Sequence, residues 1–143
     1  MLTGRCLTEG EAQYLATRLP VPAGWILDLM RNYPLIGSKF KLSHEQDLSG
    51  LGVELEWMTP ENIINESLEL YPGIAAISLN YVAIGTCLFG SGDPYFVKVV
   101  NKDSALVRIP HDRLKADLTL AESEIEIIRD RLSDFFLSSQ ILA

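Results

Sequence analysis

Residues 84–97 read Ile-Gly-Thr-Cys-Leu-Phe-Gly-Ser-Gly-Asp-Pro-Tyr-Phe-Val, two apolar runs joined by a tight, glycine-rich turn. Gly90 and Gly92 supply backbone conformations that a side chain would forbid. Asp93 can bond local backbone N–H groups, and Pro94 fixes φ while donating nothing. The expected product is a hairpin in a buried sheet. Gly90, Gly92, Asp93, Pro94 and Tyr95 are then structural residues, building a turn rather than a reaction.

The rest of the chain arranges itself around that hairpin. Thr8-Glu9-Gly10-Glu11 has the form of a capping box, with Ala12, Leu15 and Leu19 following at helical spacing, so a first helix is expected over residues 9–18. Pro20 stops it and Pro22 suits the first turn of a second helix, whose Trp25, Ile26, Leu29, Met30 and Tyr33 share one face, read as core. Residues 51–57, Leu-Gly-Val-Glu-Leu-Glu-Trp, alternate apolar and polar as a half-buried strand does, which turns Glu54 and Glu56 to solvent together. Thr59-Pro60-Glu61 then opens a third helix expected to reach Tyr71, with Ile63, Ile64, Ser67, Leu68 and Tyr71 inward and Glu61, Asn65, Glu66 and Glu69 outward.

Apolar stretches at residues 74–79, 81–89, 95–100 and 105–109 read as consecutive antiparallel strands. Thr119-Leu120-Ala121-Glu122 offers a second capping box. The stripe Ile125, Ile128, Leu132, Phe135 and Phe136 predicts one closing helix to about Leu137, covering a face of the sheet. With no internal repeat and no linker, residues 1–143 are read as a single α+β domain: a mostly antiparallel sheet flanked by helices.

A chain of 143 residues can bury about 70% of its unfolded surface and needs no staple. Its two cysteines, Cys6 and Cys87, form no Cys-x-x-Cys or Cys/His cluster, which argues against a disulfide scaffold or structural zinc and fits reduced thiols in a cytosol. The opening Met-Leu-Thr-Gly-Arg-Cys lacks the plan of an export signal, and no apolar run approaches the roughly 20 residues of a membrane span. A cytoplasmic protein without membrane attachment is the expectation.

Charge is distributed unevenly. Residues 42–97 carry eight acids (Glu45, Asp47, Glu54, Glu56, Glu61, Glu66, Glu69 and Asp93) and no Lys or Arg, within a net charge of −7. Such a field repels nucleic acid and attracts a basic protein, although acidic surfaces also serve solubility alone. Glu54, Glu56, Glu61, Glu66 and Glu69, with Trp57 beside them, are the candidate partner-binding residues. Trp57 reads first as core, yet a Trp beside acids also suits an interface.

Catalytic material is sparse, since His44 and His111 are the only histidines. A thiolate at Cys87 activated by His111 and oriented by Asp112 would be sound chemistry for a cysteine hydrolase, but a Cys inside an apolar strand reads more simply as core. Gly90-Ser91-Gly92 lacks the spacing of a phosphate loop and a following Lys-Ser/Thr. Glu54 with Glu56 on a solvated face has neither a cleft nor a reason for a raised pKa. No cofactor and no enzymatic activity are expected.

The Gly-Asp-Pro-Tyr-Phe sequence at residues 92–96 resembles, in order and spacing, the turn of the SUKH superfamily, which contains bacterial immunity proteins and the Smi/Knr-type regulators of yeast cell-wall synthesis. Leu19-Pro20, the Trp25-Ile26-Leu27 helix and Asn32-Tyr33-Pro34-Leu35-Ile36-Gly37 resemble that group's leucine-proline, helix, then glycine entry. Trp57-Met58-Thr59-Pro60-Glu61 resembles its strand-to-helix junction. Tyr33-Pro34-Leu35-Ile36-Gly37 stands where many members carry an asparagine-glycine-glycine turn, as in a divergent branch. The resemblance implies one non-enzymatic α+β domain. In bacteria it implies an antidote that binds a polymorphic toxin, often a nuclease; the other function it implies is a regulatory or scaffold module without a toxin.

Overall fold

The computed structural model describes residues 1–89 and 92–142, so Gly90 and Ser91 of the expected turn lie outside the described residues. Two helices come first, α1 (Glu9–Arg18) and α2 (Gly24–Asn32). The Thr8 capping box forms as expected: Thr8 Oγ1 accepts from the Glu11 N–H (3.2 Å) and Glu11 Oε1 accepts from the Thr8 N–H (3.0 Å). Two guanidinium N–H groups of Arg5 also donate to Glu11, and these bonds, with that from Thr8, pull the Glu11 carboxyl down to about 2.

The strands are β1 (Lys39–Leu42), β2 (Val53–Trp57), β3 (Tyr81–Cys87), β4 (Tyr95–Lys98), β5 (Leu106–Arg108), β6 (Glu126–Arg129) and β7 (Gln140–Leu142). They form one antiparallel sheet in the order β6-β5-β4-β3-β2-β1-β7. The α+β expectation therefore holds. The expected alternation in β2 holds too, with Val53, Leu55 and Trp57 buried and Glu54 and Glu56 half-buried.

Between β2 and β3 the chain departs from expectation. The helix opened by Thr59, α3 (Pro60–Ile64), does not continue to Tyr71 as a regular helix; it widens into a π-turn over Asn65–Glu69. Ser67, wholly buried there, accepts a hydrogen bond from the Ala83 N–H (3.0 Å). β2 has ended by this level of β3, so the serine supplies the partner that a strand otherwise would. Tyr71, expected inward, is 43% exposed.

Residues 74–79, expected as a strand, are instead the short helix α4 (Gly73–Ala76) and a 3₁₀ turn (Ile77–Leu79), ended by Asn80 in the left-handed region at φ 69°. An apolar run this short has no decisive period, and Gly73 lets the run seat against the π-turn. A Cβ on Gly73 would overlap the Glu66 carbonyl oxygen and lie 2.6 Å from its carbon.

The expected closing helix is also corrected. Thr119 bonds Asp117 rather than capping a helix, Glu122–Glu124 make a 3₁₀ turn, and residues 126–129 join β5 as the edge strand β6. Only α5 (Leu132–Ser138) is α-helical, and β7 follows it back to β1. Ladder bonds to β5 override a stripe that suits a helix equally well.

α5 covers one face of the sheet, as expected of the closing helix. Phe135 and Phe136 pack on Phe40 with ring centroids 5.7 and 5.4 Å apart, and Trp57 stacks on Phe136 at 6.0 Å. The second helix contributes buried Ile26 and Met30, while Trp25 is half-buried with its Nε1–H donating to the Val99 carbonyl (3.0 Å) and Tyr33 is 54% exposed. Among the described residues no helix is long and apolar enough to cross a membrane.

Candidate functional site

The acids expected to form one surface separate into two groups. Glu54 and Glu56 lie directly across from Lys41 and Lys39 of β1, at 3.8 and 4.0 Å. Both lysines precede residue 42, so a stretch without cations in sequence is neighboured by cations in space. Half-exposed pairs of this kind contribute little to stability, but they cancel much of the local field.

The second group is different. Glu61 and Glu69 are exposed and Glu66 is half-buried, and none of the three makes an ion pair among the described residues. Partial burial holds the Glu66 carboxyl above its ordinary value. Arg5 lines a 520 Å³ hollow with Glu61, yet Glu11 holds that guanidinium in a two-pronged pair at 2.8 and 2.9 Å. Leu70 (49% exposed) and Tyr71 (43%) follow directly, so apolar side chains end the acidic segment. Trp57 does not join them. At 1% exposure, stacked on Phe136, it is a core residue and offers no surface to a partner.

The described part of the glycine turn, from Gly92 onward, behaves as its residue types require. Gly92 holds φ +72°, the left-handed region, with open space where a Cβ would point. Asp93 and Pro94 are buried and Tyr95 is fully so. Asp93 reaches farther than the local turn: its Oδ1 accepts from the His111 backbone N–H (3.2 Å) and lies 2.7 Å from His111 Nδ1. The turn is thereby tied to the 3₁₀ turn after β5 (His111–Arg113). Gly92→Val is expected to cost about 1–3 kcal/mol through backbone strain alone, read as a shift in the urea midpoint. Unchanged stability would remove the structural reading of this glycine.

Cys87 is half-buried, with Sγ donating to the Phe89 carbonyl (2.6 Å) and 3.8 Å from the Tyr95 hydroxyl. The carboxylate bonded to the His111 ring is that of Asp93; Asp112 instead lies 4.0 Å from Arg113 Nε.

Sequence reasoning missed Arg108. It is 4% exposed at the end of β5, its guanidinium donating to Ser49 Oγ and the Gly52 carbonyl (2.8 Å each) and 3.5 Å from both Asp47 and Glu126. Its Cζ sits 5.3 Å from the Tyr95 ring centre. Burial pushes the Tyr95 phenol far above its ordinary pKa, and the cation offsets only part of that. A lone Arg inside the apolar run at 105–109 was the available signal, because such a residue must find partners when buried.

Arg108 thus fastens the loop between β1 and β2 to the far side of the sheet, and two further bonds share that work: Leu48 N–H to the Ile128 carbonyl (2.9 Å) and Arg129 to the Gln46 carbonyl (3.0 Å). Beside it lies a 450 Å³ cleft with Asp93, Tyr95, His111, Arg113 and Glu126 among its walls and exposed Leu51 and Phe89 at its mouth. The paired charges in this cleft cross-link the fold. Among the described residues no group of three or more His, Cys, Asp or Glu is placed to hold a metal ion. No protein-family model, no curated protein and no solved structure matches this chain.

Proposed function

We propose that this chain is a non-enzymatic, cytoplasmic protein-binding domain of the SUKH kind, an immunity protein that neutralises a toxin by covering its basic active face. One observation carries the reading: Glu61, Glu66 and Glu69 stand without ion-pair partners among the described residues on a segment that ends in exposed Leu70 and Tyr71. A field of one sign steers an oppositely charged protein into encounter, and an adjacent Leu and Tyr supply the apolar contact that slows its departure. The resemblance of residues 19–112 to the SUKH pattern names the kind of partner.

The experiment begins with a pull-down from the native source, followed by association kinetics against the captured partner at low and high salt. The triple variant Glu61→Gln, Glu66→Gln, Glu69→Gln is expected to associate markedly more slowly than wild type. The double variant Glu54→Gln, Glu56→Gln is expected to change the rate much less, since Lys41 and Lys39 already oppose those charges. Wild-type association should slow as salt rises. Salt-independent association, or a triple variant as fast as wild type, would reduce the acidic segment to solvation.

A further inference from the structure

His111 has a role that binding through the acidic segment does not use. Its ring stands 67% exposed while the carboxylate it meets belongs to Asp93, only 7% exposed. One Asp93 oxygen serves both the His111 ring and the His111 backbone N–H, so a single carboxylate joins the start of β4 to the corner at residues 110–113. Both residues are walls of the 450 Å³ cleft. We propose that His111 is a proton-operated tie: charged, it fastens Asp93 and the entry to β4 against the corner after β5, and on losing its proton it loosens that wall of the cleft.

The surrounding charges favour this use. From its own turn His111 meets Asp112, whose charge adds to that of Asp93, and Arg113, whose guanidinium is taken up by Glu124 (3.0 Å), Glu126 (3.8 Å) and Asp112 (4.0 Å). Arg108 of β5, flanked by Asp47 and Glu126, and Tyr95 of β4, whose hydroxyl lies 3.8 Å from Cys87 Sγ, line the same cleft. The hydrogen bond and charge of Asp93 raise the His111 pKa above its ordinary value. A group raised in this way stabilises its contact fully below the unfolded value of about 6.5, and the contribution disappears as pH rises through the folded value. Neutral imidazole still donates one hydrogen bond from Nδ1, so the tie weakens rather than vanishes.

The test is nuclear magnetic resonance on the whole chain. The His111 ring is expected to titrate with a midpoint above about 6.5 in wild type and to fall back toward it in Asp93→Asn. Protection of the His111 amide against hydrogen exchange, corrected for the base-catalysed chemical rate, should drop across the wild-type midpoint by about tenfold for each pH unit separating the two midpoints. His111→Gln, which keeps a donor but no titrating charge, should flatten that dependence. An unshifted wild-type midpoint, a midpoint indifferent to Asp93→Asn, or protection that ignores the titration would each overturn the tie. If Asp93→Asn fails to fold, the wild-type titration and His111→Gln decide alone.

Discussion

Arg108→Met is expected to destabilise the protein by about 3–5 kcal/mol, read as a fall in the urea midpoint at constant slope. The reason is what the guanidinium leaves behind. The Asp47 side chain is fully buried; one oxygen is bonded by Ser49 while the other, among the described residues, has only Arg108 at ion-pair distance and no hydrogen bond of its own. Removing the cation strands a buried carboxylate, which costs far more than the net contribution of the intact pair. Asp47→Asn added to Arg108→Met should therefore recover part of the loss, a coupling that a double-mutant cycle measures directly. If Arg108→Met unfolds within about 1 kcal/mol of wild type, the bridge contributes no more than a surface pair.

Gly73→Ala is expected to be comparably damaging, about 4 kcal/mol or more, and to register as poor folding rather than altered binding. The obstruction is the backbone of one peptide link: the new methyl would overlap the Glu66 carbonyl and come within 2.9 Å of the Ser67 Cα. No side-chain rotation relieves that. The π-turn would have to move, and with it Ser67, which caps the Ala83 N–H. Gly24→Ala is the control, because a Cβ there meets nothing within 4 Å and lies in a helix. It should be neutral or stabilising by up to about 1 kcal/mol. Equal behaviour of the two alanines would show that crowding at the π-turn is not what requires glycine.

Local chemistry made much of the fold legible. The first helix runs from Glu9 to Arg18 because its cap is four residues of side-chain and backbone bonding that need nothing distant. Val53–Trp57 alternates because its two faces meet different surroundings. The missed elements depend on partners remote in sequence. Lys-Phe-Lys-Leu at β1 alternates as β2 does, but four residues are convincing only once β2 and β7 lie on either side. Ile128 continues the helical stripe toward Leu132 until β5 offers its edge and makes residues 126–129 a strand.

The site was legible to the same extent. Gly92 could be assigned its conformation from residue type alone, whereas the neutralisation of Glu54 and Glu56 depended on which strand would lie opposite. Arg108 shows the same limit: its burial was readable from its apolar neighbours, but its partners at Asp47, Ser49 and Gly52 come from a loop more than fifty residues away.

The two ends of the sheet are finished differently. β6 is bulged against β5, carries Glu126 and Arg129, and has the loop between β1 and β2 bonded to its Ile128 carbonyl. These are features by which a strand discourages an incoming neighbour. β7, Gln-Ile-Leu, has neither charge nor proline but is three residues long, which offers an incoming strand little to pair with. Growth strand upon strand into a fibre requires a willing edge at both ends of the sheet, so the guarding of β6 alone works against it.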